Sequence, residues 1–423
     1  MIQIKADELH PGMILGADII LPNGRLLFRK DTLLDFEHLR AVRLAGVKDL
    51  EILENNKSKL DSSPAASTGA PERSADNRDL IEKRLSKCPP DHPVVQEIFR
   101  VVLANPGIAG FSPVPPFPVP SNETWHRPQD DQSRGVRKSP SGSDDPLGLL
   151  APDLELVSLP DIFYQVVEVI NNPRSSAFQV AEVISKDPNL SAKLLKIVNS
   201  AFYGFPKPVD TISRAVAIVG SDQLSTLTLG TSVFALFRDI PAELMTMRWF
   251  WEHSLASGIA ARAIASYKNL PHIEQLFISG LLHDLGKLII YKNLPQKAKA
   301  VLTQARREDS FQVETEQDLL GFTHAQLGTA LTRKWRLPLN LEQAIGGHHQ
   351  PLQYPPSLDA AVVFLADSLI NALGYGTSGE QFVSPQIIEV WEFLKLPGGF
   401  SESLVPLINQ QVEDTFQIFF NQS

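Results

Sequence analysis

The run "GLLHDLGKLII", residues 280–290, sets His283, Asp284 and Lys287 inside an otherwise apolar segment. An unpaired charge taken from water into a protein interior costs several kcal/mol, so folded chains exclude such groups or pair them. The rest of the chain must bring partners to these three side chains. That demand narrows the folds open to it.

Candidate partners are concentrated downstream. Of the ten histidines, six follow residue 250. His253 lies in the helical pattern "RWFWEHSLASGIAARAIA", and His283 with Asp284 reads as part of the next long helix. His324 opens "FTHAQLGTALTRKW", where Thr323 and Gln326 stand at capping-box spacing, so it belongs to a first turn. His348 and His349 fall in "AIGGHHQP", at a helix end. Asp367 is alone in the apolar stretch "AAVVFLADSLINAL". Taken singly, each is most simply a hydrogen-bonded core residue. Taken together, imidazole and carboxylate make the ligand set of a divalent cation: Fe, Mn, Zn or Mg. A bound cation would also offset the burial of Asp284 and Asp367.

Composition and pattern divide the chain in three. Residues 1–54 read as a small α+β module. "MIQIKADEL" alternates as a strand does, Asn23-Gly24 suits a tight hairpin turn, and a helix is expected over 32–44. Residues 55–149 read as a linker, with short helices at about 79–104 and a Pro/Ser-rich disordered part from 106 to 147. Residues 150–423 carry apolar side chains at three- and four-residue spacing almost throughout, as in "DIFYQVVEVINN" and "TISRAVAIVGSDQLSTLTLGTSVFALF". Strands and helices do not alternate there, which argues against a parallel α/β sheet. The expected fold class is mainly α: an all-helical domain behind a small β-containing module and a linker.

The formal net charge is −9, and no run of five basic residues occurs. That balance disfavours a dedicated nucleic-acid binder, whose footprint is a basic patch. Cys88 is the lone cysteine, which excludes an intrachain disulfide and fits a reducing compartment. The start lacks the basic and apolar regions of a signal peptide, and no stretch reaches the length of a membrane span. A cytoplasmic protein without membrane contact is expected.

The order His253, His283-Asp284, Asp367 resembles the H…HD…D signature of the HD superfamily of metal-dependent phosphohydrolases. His324, His348 and His349 match the additional ligands of its HD-GYP members, cyclic-di-GMP phosphodiesterases that hold two or more metals. Lys287, in "HDLGK", matches that group's lysine near the substrate phosphate. Two departures argue against a second metal and against recognition of cyclic di-GMP. Gln350 stands where the group has a glutamate, before "PLQYPPS" in place of its Gly-Tyr-Pro loop, and Trp249 stands where a further glutamate ligand is expected.

The wider region is similar to a sister family, the HDOD (HD-related output) domain of bacterial signalling. "LVSLPDIFYQVVEVINN", "ISKDPNLSAKLLKIVNSAFYG", "TISRAVAIVG", "TRKWRLPLNLEQAIGGHHQP" and "VFLADSLI" carry the likeness, from about 152 to 375, with the HD-like half at about 243–375. "LHPGMILGADIILPNGRLLFRKDTLL" resembles a module found ahead of some HD-GYP domains. The resemblance implies an all-α regulatory domain that acts through a signalling protein partner, with a preserved HD-type metal centre and room for a homodimer. The alternative it implies is a phosphohydrolase or phosphodiesterase acting on a nucleotide or cyclic dinucleotide. In that case His253, His283, Asp284 and Asp367 hold a metal, Asp284 and Lys287 serve catalysis, and a phosphorylated small molecule is the ligand.

Overall fold

The computed structural model describes residues 71–105 and 161–420, apart from 173–174, 200–202, 204, 206, 234–236, 238–239 and 354, together with scattered positions between 2 and 52. The Asn23-Gly24 turn, nearly all of the helix expected over 32–44, and the linker from 106 to 147 lie outside the described residues.

In the N-terminal module, β1 (Ile2–Lys5) pairs antiparallel with β4 (Asp49–Ile52), and β2 (Ile19–Ile20) with β3 (Leu26–Phe28). Leu15, Ile19, Leu34, Val42, Leu50 and Ile52 make its core.

Beyond residue 160 the chain is helical, and local signals start the helices. After α3 (Asp161–Asn171), Ser176 and Gln179 form a capping box at α4 (Ala177–Ser185). The Asp187 carboxylate accepts the N–H groups of Asn189 and Leu190, at 2.9 and 3.0 Å, to open α5 (Pro188–Val198). Thr211 caps α6 (Ile212–Val219). The single periodic stretch from Thr211 onward is broken at Gly220, whose φ of +103° no helix accommodates, and α7 (Ser221–Val233) follows. This first group of helices meets the second where α7 packs on α9 (Ile273–Leu282).

The second group is organised around α8 (Met247–Tyr267), which packs against α9, α15 (Leu358–Leu373) and α17 (Phe400–Phe420). It is buried continuously from His253 to Ser266. Its small residues, Ser254, Ala256, Ser257, Gly258, Ala260 and Ala261, let neighbours approach on every side; a helix surrounded this way needs no polar face. Between α9 and α15 the chain runs through α10 (Leu285–Asn293), α11 (Pro295–Arg307), α12 (Gln312–Leu320), α13 (His324–Lys334) and α14 (Leu339–Gly347). A short helix, α16 (Ile387–Phe393), precedes α17.

The short helices that the sequence places in the linker are α1 (Pro71–Leu85) and α2 (Pro93–Ala104), and both pack on α15. Ile81, Leu85, Val95, Ile98 and Val102 join the same apolar core as α8. Buried Glu97 of α2 accepts the N–H groups of Gly399 and Ser401, at 2.7 and 2.9 Å, and so satisfies donors that the start of α17 leaves open.

Helices α8 and α9 approach each other backbone to backbone. A Cβ at Gly280 would fall 2.7 Å from the Ser257 carbonyl oxygen and 2.9 Å from the Gly258 Cα. Backbone cannot yield to it as a flexible side chain would. Gly280→Ala is therefore expected to push the two helices apart and lower stability by about 1–3 kcal/mol in urea unfolding. A wild-type midpoint in that variant would show that the contact is slack.

Candidate metal centre

Five elements bring the seven predicted ligands together. His253 comes from α8, and Asp367 from α15. His283 and Asp284 do not continue a long helix, as their sequence suggested. The helix breaks there into α9 and α10, with the two residues at the junction. From this junction both side chains reach into the cluster. His324 opens α13 beneath the Thr323–Gln326 capping box, as expected. His348 and His349 follow the end of α14.

One glycine allows α13 to come this close. A Cβ at Gly286 would stand 1.9 Å from the His324 carbonyl oxygen. The glycine in "HDLGK" therefore lets the His324 backbone rest on α10, directly beside Asp284.

The ligand atoms form two groups, in each of which all lie within 4.8 Å of one another: His253, His283 and Asp367, and Asp284, His324, His348 and His349. Asp284 stands between them. Its Oδ2 lies 3.2 Å from His283 Nε2 and 4.0 Å from His253 Nε2, and its Oδ1 lies 3.1 Å from His324 Nε2 and 3.8 Å from His348 Nε2. Asp367 Oδ1 lies 3.0 Å from His253 Nε2 and 3.5 Å from His283 Nε2. His349 Nε2 meets His324 Nε2 at 2.8 Å.

Backbone carbonyls orient two of the rings. A carbonyl oxygen only accepts, so the Nδ1–H groups of His283 and His348 donate to Gly280 and Ile345, at 2.7 and 2.6 Å. Nε2 of each is thereby left facing the carboxylates. Both ring nitrogens of His253, Nε2 of His283 and Oδ1 of Asp284 are buried without a hydrogen-bond partner. Buried polar atoms seldom stay unsatisfied. Converging imidazoles and carboxylates, each imidazole offering a lone pair once its metal-facing nitrogen gives up its proton, fit a divalent cation, whose ligands at about 2.1 Å stand roughly 3–4 Å apart.

The charges are strongly coupled. Burial disfavours a charged His283, but Asp284 and Asp367 overrule it and push the ring up to about 10. Burial likewise works against ionised Asp284, while His283 and Lys287 hold it well below the usual carboxylate range. Asp367 is held low too, against its burial, by His253 and His283. His324 is raised despite burial, chiefly by Glu316. His348 moves the other way: burial, then the neighbouring His283 and His324, bring it down to about 3.

Lys287, expected beside a substrate phosphate, is buried and engaged. Its Nζ donates to Asp284 Oδ2 at 2.9 Å and to Ser378 Oγ at 3.1 Å. Trp249 stands one turn before His253 on α8, where its carbonyl accepts the Thr377 N–H at 3.1 Å, and Gln350 is exposed in the turn after α14. Sequence reading missed Ser378 and the buried Glu316. Neither stands in an apolar run, so nothing in the local pattern sets them apart from surface residues.

Residues 156–351 match the family model described as the HDOD domain. This chain carries an HDOD domain. It is 28% identical over 233 residues to an uncharacterized protein of Treponema pallidum (strain Nichols), an overlap of 54% of this chain. The chain spans only 44% of that relative's length. Among solved structures it is similar to a Shewanella amazonensis SB2B protein provisionally named a phosphohydrolase, with 25% identity and a TM-score of 0.52 over 62% of this chain and 95% of that one. It shares its fold with a Marinobacter aquaeolei VT8 protein provisionally named a signal transduction protein, at 22% identity and a TM-score of 0.50, over 63% of this chain and 60% of that one. Asp367 lies beyond the matched HDOD residues, yet it completes the first ligand group. No helix among the described residues is long and apolar enough to cross a membrane.

The metal-free protein should show a pH signature. His283 is raised from an ordinary 6.5 to about 10, so its contribution to stability is complete below pH 6.5 and lost as the pH climbs toward 10. The melting temperature of chelator-treated protein is expected to fall across that window, and His283→Asn to flatten the decline. A wild-type profile in the variant would contradict this.

Proposed function

We propose that this chain is an output protein of bacterial signal transduction, whose HDOD domain contacts a partner protein and is built around a divalent-metal centre. The convergence of seven buried or half-buried ligand side chains on two adjoining positions, with buried lone pairs left open, is the observation that carries the reading. The nitrogen-rich donor set favours Fe, Mn or Zn over Mg. Asp284, with one oxygen toward each ligand group, is the residue that both positions would share. Against the expectation drawn from Trp249 and Gln350, the geometry supports two cations rather than one.

The engagement of Lys287 supports a regulatory role over turnover. In a phosphohydrolase a free cation should meet the negative charge that develops on phosphate. Here the Lys287 ammonium is 2% exposed and spent on Asp284 and Ser378. The second reading, hydrolysis of a phosphorylated small molecule, is favoured by a different observation. Asp367 and His349 keep partial exposure and give the centre an outward side. A bound divalent cation would there supply an acidified water and a polarised phosphoryl oxygen.

Elemental analysis of protein purified without a metal-affinity column tests the centre. Two equivalents of Fe, Mn or Zn are expected in the wild type and none in Asp284→Ala. That substitution should also cost about 3–5 kcal/mol, because it leaves Lys287 buried and unpaired. Absence of metal after anaerobic reconstitution would remove the reading. Hydrolysis of a phosphodiester by wild type, lost in Asp284→Ala, would favour the enzyme.

A further inference from the structure

The geometry points to Glu316 as a positioning residue that makes His324 a metal ligand and so creates the second cation position. The inference rests on reading the cluster as a metal centre. Glu316 is 1% exposed, on α12, and belongs to neither ligand group.

Its two oxygens have separate tasks. Oε2 accepts from His324 twice, from the backbone N–H at 2.8 Å and from Nδ1–H at 2.6 Å. The second bond fixes a proton on Nδ1 and leaves Nε2 aimed at Asp284 Oδ1, 3.1 Å away. Oε1 accepts from Gln312 Nε2 at 3.1 Å. Gln312 is held in turn, because its backbone N–H donates to Glu380 Oε2 at 2.9 Å and its side-chain amide reaches the Tyr291 hydroxyl at 3.2 Å. The Tyr291 hydroxyl donates to the Ser378 carbonyl at 3.2 Å, and the Ser378 hydroxyl accepts from Lys287. The path ends where it began, at Asp284.

His324 differs from its neighbours in what holds its outer nitrogen. His283 and His348 lean on backbone carbonyls, whereas His324 leans on a carboxylate. A carboxylate behind a ligating imidazole fixes ring orientation and makes the metal-facing nitrogen a stronger donor. Among the described residues the hydrogen-bond partners of the Glu316 carboxylate are His324 and Gln312, with no Lys or Arg, and a glutamate buried that way is otherwise expensive. Placing it one imidazole away from a cation explains why the fold keeps it.

The test is a Co²⁺ titration of the full chain, followed by visible absorption, in wild type, Glu316→Gln, Glu316→Ala and His324→Ala. His324→Ala identifies the binding step that depends on that ring. For this step Glu316→Gln, which keeps an acceptor but not the charge, is expected to weaken affinity about tenfold, and Glu316→Ala up to about a hundredfold. The other step, held by His253, His283 and Asp367, should keep its affinity and spectrum. Glu316→Ala should add nothing in a His324→Ala background, an outcome that a general structural role would not give.

Two-step binding with both affinities unchanged in Glu316→Gln and Glu316→Ala would overturn the positioning role and leave the metal centre standing. Equal weakening of both steps would overturn it as well, in favour of a structural role. Should Glu316→Ala fail to fold, an unaltered second step in Glu316→Gln decides against the proposal. A wild type that binds no Co²⁺ would overturn the metal reading itself.

Discussion

Asp284 is an ionised carboxylate with 2% of its side chain exposed. Burial on that scale is tolerable only where opposite charge and hydrogen-bond donors replace water on every open side. Lys287 stands on one side, His283 on another and His324 on a third. Each comes from a different stretch of chain, or from a different side of a break in one. The centre of the helical domain is arranged around supplying them.

That requirement runs outward into packing. The α8–α9 contact through Gly258 and Gly280 sets how near His253 comes to His283. Gly286 sets how near α13 comes to α10, and with it the distance from His324 to Asp284. At these positions the absence of a side chain, and not the presence of one, decides the geometry of the charged cluster. The outer layer follows the same logic: Glu316, Gln312, Tyr291 and Ser378 are polar groups that a core tolerates because each finds a partner. The helices of the first group touch this assembly where α7 packs on α9 and where α5 packs on α17.

Much of the site was legible in the chain. His253, His283, Asp284 and Asp367 stand out because an imidazole or carboxylate in an apolar helix is conspicuous, and the structure does bring them together. His324 was legible from its cap, and the His348-His349 pair from the helix end. Glu316 was not. It lies in "QVETEQDLL", among other acids and amides, where a buried glutamate and a solvated one look alike. Nor was the engagement of Lys287, because its type and spacing say nothing of a serine 91 residues away.

Residue type and periodicity by themselves determined the helical class, the cap at Thr323, and which histidines and aspartates stand out as candidate ligands. These are short-range properties: a cap needs its own first turn, and an apolar stripe needs only the 3.6-residue repeat. Tertiary structure alone decided that the helix breaks at His283-Asp284, that Asp284 faces two ligand groups, and that the helices at 71–104 belong to the core. Those outcomes depend on which backbones can approach to contact distance, a quantity set by pairs of residues far apart in the chain.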